Sequence, residues 1–78
     1  MKKDSFLYHV WVGVTFTDGS TAEHDMFRET EEEIKNELQA ERFKVRVILG
    51  IEKMTGKEVR TCVVRSINLL HAERMVHY

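Results

Sequence analysis

Residues 43–70 read FKVRVILGIEKMTGKEVRTCVVRSINLL, two apolar-rich runs on either side of residues 54–57 (MTGK). Valine, isoleucine and threonine recur in both runs, and their branched side chains suit the pleated surface of a β-sheet. Gly56 supplies the positive φ that a tight turn requires. The stretch therefore predicts a β-hairpin, and the rest of the chain has to cover one of its faces.

The two strands of this hairpin differ in how clearly they alternate. The first has a strong apolar face, and its residues are Phe43, Val45, Val47, Leu49 and Ile51. Two registers remain for the second. A three-residue loop places Val59, Val63 and Ile67 on the core side, whereas a two-residue loop places Cys62 and Val64 there. We prefer the first because it buries more carbon and separates Arg46 from Arg65, although it points Arg65 inward near a sheet end.

Residues 6–17 (FLYHVWVGVTFT) alternate strictly and predict the first strand of the chain. One face of this strand is entirely apolar, and it consists of Phe6, Tyr8, Val10, Val12, Val14 and Phe16. The next three residues, Asp18-Gly19-Ser20, mark a hairpin turn. A second, weaker strand is expected over residues 21–27.

A helix is predicted from about Glu31 to Arg42. Thr30 and Glu33 have the spacing of a capping box, in which each side chain satisfies the other residue's amide. Four glutamates between residues 29 and 33 suit the positive end of a helix dipole. The apolar stripe of this helix is thin, with only Ile34 and Leu38, so most of its surface should face water.

Together these elements predict a single α+β domain of order β-β-α-β-β, an antiparallel sheet with one helix on one face. Residues 70–78 are too apolar for a solvated tail, and we expect a helical turn or a short extra strand that docks on this chain or on a second copy. A chain of 78 residues is marginally stable alone, which makes self-association a reasonable expectation.

The amino-acid composition bears on the cellular location of the protein and on its partners. The single cysteine, Cys62, excludes an internal disulfide and indicates a reducing, cytoplasmic location. We expect neither a signal peptide nor a membrane span, because Asp4 and His9 interrupt the start and no apolar run is long enough. Net charge is −1, but residues 43–67 hold six Lys or Arg against two Glu, while the first half is acidic. This division favours internal complementarity over a basic or acidic binding face.

No constellation of residues predicts catalysis, a metal site or a cofactor. The four histidines lack ligand spacing, and they are His9, His24, His71 and His77. Cys62 in mid-strand is typical of a small apolar filler rather than of a nucleophile. The glutamates near residue 31 lack the apolar walls that shift a carboxyl pKa. We therefore expect a binding protein and no enzyme.

The candidate site is the sheet face that the helix leaves open. Six residues are expected there: Leu7, His9, Trp11, Arg46, Ile48 and Val64. Trp and Arg commonly anchor protein interfaces, so Trp11, His9, Arg46 and Ile48 are the predicted anchors for a protein partner or a second copy. Glu32, Glu33 and Glu37 form a second, charged candidate surface. Two alternatives stay open: coverage by residues 70–78, and nucleic-acid binding through Trp11, Lys44, Arg46, Lys57 and Arg60.

The layout resembles that of small phage-encoded accessory proteins, including anti-CRISPR-like inhibitors. The features that carry the resemblance are the strand over residues 6–17, the Asp18-Gly19-Ser20 turn, the Thr30-x-x-Glu33 helix start and the closing hairpin at Thr55-Gly56. They cover most of the chain but include no signature motif. The resemblance implies a protein that binds and blocks a larger assembly without catalysis of its own.

Overall fold

A computed structural model of the protein describes residues 4–74 and contains four elements. They are strand β1 (Ser5–Phe16), strand β2 (Thr21–Thr30), helix α1 (Glu37–Thr55) and strand β3 (Val59–Glu73). The strands form one antiparallel sheet in the order β2-β1-β3. The predicted class, an α+β domain with one helix and an antiparallel sheet, is confirmed. The element order is β-β-α-β, however, and not β-β-α-β-β.

Strand β1 is the centre of the sheet and supplies most of the core. Its predicted apolar face is buried along its whole length, and the members are Phe6, Tyr8, Val10, Val12, Val14 and Phe16. Helix α1 lies against this face, where the rings of Tyr8 and Phe43 stand 5.7 Å apart. The predicted turn follows, with Gly19 at φ 88° and a hydrogen bond of 2.8 Å from Phe16 N to Ser20 O.

The predicted strand at residues 43–52 is wrong, because this segment belongs to α1. Asn36 starts the helix by accepting a hydrogen bond from Gln39 N at 2.9 Å. Residues 37–42 (ELQAER) are strong helix formers. Gly56, at φ 70°, ends the helix by donating its N–H to Glu52 O at 2.8 Å. The glycine that suggested a hairpin turn is therefore a helix C-cap.

The predicted helix start is also wrong. Thr30 is the last residue of β2, and its hydroxyl donates to Glu32 O at 2.8 Å instead of capping a helix. The glutamates at 31–33 lie in the loop before α1, so the predicted helix overlaps the observed one only over residues 37–42. This loop is fixed to the sheet by Ile34 N, which donates to the Tyr8 hydroxyl at 2.8 Å.

Strand β3 follows neither of the two predicted registers along its whole length. Its fifteen residues pair with the twelve of β1, and three of them, Arg60, Arg65 and Leu70, have no partner on β1. Each unpaired residue is a bulge that changes which side of the strand faces the helix. As a result, side chains from both predicted registers meet the core, namely Val59, Cys62, Val64 and Ile67.

Two predictions for β3 are consequently wrong. Val63 is 58% exposed and not part of the core. Arg65 lies on the helix-free face and does not point inward. Residues 70–73 continue β3, so that part of the C-terminal segment forms a strand within the sheet. The expectation for residues 75–78 lies outside the described residues.

Candidate functional site

The helix-free face of the sheet carries a cluster of three rings, His9, Trp11 and Phe27, which we call the aromatic patch. His9 and Trp11 lie on the central strand, and Phe27 pairs with His9 from β2. The rings of His9 and Phe27 are 5.3 Å apart at an interplanar angle of 53°. Trp11 is 43% exposed and Phe27 is 60% exposed. Leu7 extends the patch along β1, as the alternation of that strand predicted.

An ion pair across the sheet frames one side of the aromatic patch. The Arg65 guanidinium donates to the Glu23 carboxylate, with Nε 2.9 Å from Oε2 and Nη2 2.8 Å from Oε1. It also lies over the Trp11 ring, 5.8 Å from the centroid. This hydrogen bonding lowers the pKa of Glu23 and raises the pKa of Arg65. The two charged groups therefore hold one another beside the indole.

Gly13 makes this crossing of the sheet possible. A Cβ atom at this position would stand only 2.7 Å from Arg65 Nη2, so any side chain here would displace the guanidinium. Within the patch, His9 Nε2 lies 2.5 Å from Asp25 Oδ1, and Asp25 pairs with Trp11 across the sheet. The aromatic patch thus combines partly exposed rings with two polar contacts.

Two of the predicted anchors are not on this face. Arg46 and Ile48 belong to α1, which covers the opposite side of the sheet, because the segment that carries them is a helix and not a strand. Ile48 is partly buried and packs against the core. Val64 packs there as well, since the bulge at Arg65 turns it toward the helix. Only Leu7, His9 and Trp11 of the predicted set remain on the open face.

The charged candidate surface lies at one end of the molecule. Glu32 and Glu33 are in the loop before α1, and Glu37 is the first helical residue. A cleft of about 620 Å³ opens between this loop and α1, and Glu32 and Arg46 both line it. Glu33 pairs with Arg74, with Oε1 2.5 Å from Nη2. The structure therefore brings Arg46 close to the acidic loop and away from Trp11.

Phe27 and Arg65 are the parts of the site that sequence reasoning missed. Phe27 stands at an odd position of β2, on the same side as Glu23 and Asp25, so the alternation of that strand could have placed it on the open face. The two-residue loop would have placed Arg65 on the open face, but we preferred the other register, and the bulge at Arg65 means that no single register fits the whole strand.

The side chains that could act as a nucleophile or bind a metal do not form a site in the described part of the chain. Cys62 is 7% exposed, and burial raises the pKa of its thiol, which disfavours the thiolate. Within residues 4–74, no three His, Cys, Asp or Glu side chains come together in a way that could hold a metal ion. Nor does any helix in that range have the length and apolarity to cross a membrane.

The residues considered for nucleic-acid binding do not share a surface. Lys44 and Arg46 lie on α1, and Trp11 lies on the far side of the sheet. Lys57 is engaged at the end of the molecule, where its Nζ is 3.3 Å from Asp18 Oδ2 and 5.3 Å from the centroid of the Phe16 ring. The structure therefore does not bring Trp11, Lys44 and Arg46 onto one face.

Comparison with known proteins adds no relative: no protein-family model, curated protein or solved structure matches the chain.

Proposed function

We propose that this protein is a small binding module that docks on a protein partner through its aromatic patch. The observation that supports the proposal is the position of Trp11. The indole lies on the central strand, is 43% exposed, and stands beside two further rings. An antiparallel sheet with one covered face normally presents polar residues on the other. Three adjacent rings on that face have no role in the core.

The surroundings of the patch also support docking. Arg65 is held over the indole by Glu23, and His9 is held by Asp25. Side chains that are fixed before binding lose less conformational entropy when a partner arrives. Trp and Arg are, moreover, the residues that most often dominate the binding energy of protein interfaces. Arg65 thus takes the part that we had predicted for Arg46.

The finer form of the proposal is an inhibitor that blocks a larger assembly by docking on it. The resemblance to phage-encoded accessory proteins supports this form through the strand at 6–17 and the turn at Asp18-Gly19-Ser20. The two other matching features, at Thr30–Glu33 and Thr55–Gly56, fold differently and carry no weight. Cys62, a free and buried thiol, is consistent with a reducing cytoplasmic setting.

Trp11→Ala tests the proposal. A partner is first captured from host lysate with the wild-type protein, identified and purified, and its affinity is then measured by calorimetry. We expect Trp11→Ala to weaken binding by about 2 kcal/mol or more, the loss that defines an interface hot spot. Met54→Ala is the matched control, because Met54 is 66% exposed but lies at the C-terminal end of α1.

Equal capture and equal affinity for the wild type and Trp11→Ala would refute docking through the patch. Retention of oligonucleotides at low salt, lost steeply as salt rises, would instead indicate nucleic-acid binding. Both variants should keep the wild-type circular dichroism spectrum, since neither side chain belongs to the buried core.

A further inference from the structure

Helix α1 carries a second apolar stripe on the side away from the sheet. Phe43, Val47 and Ile51 form the inner stripe and are buried. Leu38, Val45 and Leu49, which we call the outer stripe, are 62%, 53% and 59% exposed. Their separations of seven and four residues place them on one side of the helix, opposite the inner stripe. Nothing in residues 4–74 covers them.

The fold does not account for the outer stripe. The inner stripe, together with Ile48, covers the core, and a solvent-facing helix surface ordinarily carries polar residues. The alternation of Val45 and Leu49 with the inner residues is also what makes residues 43–52 look like a strand. Exposed apolar side chains that do not fill the core, at positions where a helix normally carries polar residues, point to an interaction surface.

Charges within the outer stripe indicate which partner fits. Arg42 precedes Val45 by three positions and Glu52 follows Leu49 by three, which gives the order Arg42, Val45, Leu49, Glu52. This spacing of three, four and three is that of helices that pack side by side. In either direction along the helix, a charged residue is followed by two apolar residues and a second charged residue at the same spacings. Reversing the direction exchanges the basic end for the acidic end. The stripe is therefore complementary to itself when one copy is reversed.

We propose that α1 pairs with α1 of a second copy in antiparallel orientation, centred near Val47. In this arrangement Val45 lies opposite Leu49 of the second copy, and Arg42 lies opposite Glu52, each contact occurring twice by symmetry. A parallel pair would instead place Arg42 against Arg42. One oxygen of the Glu52 carboxylate, Oε2, accepts a hydrogen bond from Val59 N of the same chain at 2.8 Å, so the contact with Arg42 of the second copy uses Oε1.

This contact goes beyond the proposed function, because it uses the opposite side of the molecule. The sheets lie on the outside of the helix pair, so each dimer presents two aromatic patches that face away from one another. Two patches on one particle increase the apparent affinity for a partner that itself has repeated subunits. The dimer is thus a bivalent form of the binding module.

The expected affinity is modest. Nineteen helical residues span about 28 Å, and one helix pair of that length buries less than the roughly 1,200 Å² of a standard interface. Sedimentation equilibrium should therefore be run over about 10 µM to about 1 mM. We expect the wild-type protein to change from monomer to dimer within this range.

Charge reversal tests the antiparallel order. Arg42→Glu and Glu52→Arg should each weaken the dimer about tenfold or more, since either change opposes like charges at both symmetric contacts. A mixture of the two variants should restore the dimer, because both contacts then join opposite charges. Leu49→Glu should abolish it, while Met54→Glu, at a similarly exposed position off the stripe, should leave it intact.

Four outcomes would overturn the proposal: a wild-type protein that stays monomeric to the highest concentration, a dimer that survives Leu49→Glu, a dimer unaffected by Arg42→Glu, or a mixture of two variants, both folded by circular dichroism, that does not associate. Arg42→Glu keeps the test valid even if Glu52→Arg weakens the fold by removing the bond to Val59 N. Trp11→Ala separates the two proposals, since it should reduce partner binding and leave the dimer unchanged.

Discussion

Strand β1 and the C-terminal half of helix α1 both place an apolar residue at every second position, but they bury these residues differently. All six alternating residues of β1 are at most 4% exposed, from Phe6 to Phe16. In residues 43–51 of α1 only every fourth residue is buried, and the intervening Val45 and Leu49 are more than half exposed. The same pattern thus serves one contact surface in β1 and two opposite surfaces in α1.

The difference shows that an alternating apolar pattern does not by itself distinguish a strand with one buried face from a helix with apolar residues on two opposite faces. A strand turns alternate side chains to one face, whereas a helix turns residues i and i+4 to one face and i+2 to the other. Phe43, Val47 and Ile51 satisfy either geometry. The caps at Asn36 and Gly56, together with the helix formers of residues 37–42, decide in favour of the helix.

The largest expected effect separates the two stripes of α1. Ile51→Ala should lower the free energy of unfolding by about 2–5 kcal/mol, because Ile51 is fully buried. Leu49→Ala should change it by less than about 0.5 kcal/mol, because Leu49 is mostly exposed. Urea denaturation at low protein concentration, where the chain is monomeric, measures both. Similar losses for the two variants would mean that the segment has one buried face, as in a strand.

Smaller effects are expected at two glycines, one within α1 and one at its C-cap, and their signs are opposite to one another. Gly50→Ala should raise the free energy of unfolding by about 0.5 kcal/mol, because alanine is favoured over glycine inside a helix by about 1 kcal/mol. The added Cβ would meet Arg28 Nη2 at 2.7 Å, the end of a flexible side chain that can move aside. When the Arg28 side chain moves, its hydrogen bond to Phe27 O is weakened, and this loss offsets part of the stability gained from alanine.

Gly56→Ala is the matched comparison. At φ 70°, alanine is strained, so this change should lower the free energy of unfolding by about 1 kcal/mol. Thermal or urea unfolding of both variants measures the sign of each change in the free energy of unfolding. A loss of stability in both would contradict a helix that runs through Gly50 and stops at Gly56.

The smallest effect concerns the turn that ends β1. Hydrogen bonds from the Ser20 hydroxyl and amide, with help from Lys57, lower the pKa of Asp18 from 3.8 to about 2. Because the pKa is lower in the folded state, the carboxylate stabilises the fold above pH 3.8 and this contribution is lost as the pH falls through about 2. Asp18→Asn should therefore reduce the acid dependence of the unfolding midpoint in that window.

Calorimetric unfolding at a series of pH values measures this dependence. Ser20→Ala offers a second way to weaken it, through the other partner of the hydrogen bond. An acid profile identical in the wild type and both variants would show that the turn does not contribute. The effect is small because the Asp18 carboxyl group is exposed to solvent and screened by it.

Sequence reasoning succeeded where one physical requirement acted alone. The alternation of β1, the turn at Gly19 and the placement of His9 and Trp11 on the open face all follow from a strand with one buried side. It failed at residues 43–52, because the apolar stripe on the exposed side of α1 imitates a strand. It failed at Arg65 because a bulge is set by the paired strand and leaves no periodic signal in the sequence.

The bulges of β3 also determine how the sheet behaves at its border. Arg60, Arg65 and Leu70 recur every fifth residue and interrupt the ladder three times along fifteen residues. A border interrupted in this way twists and cannot supply the long, flat row of amides and carbonyls that a strand from another molecule would need. The bulges therefore protect the protein from edge-to-edge aggregation along β3.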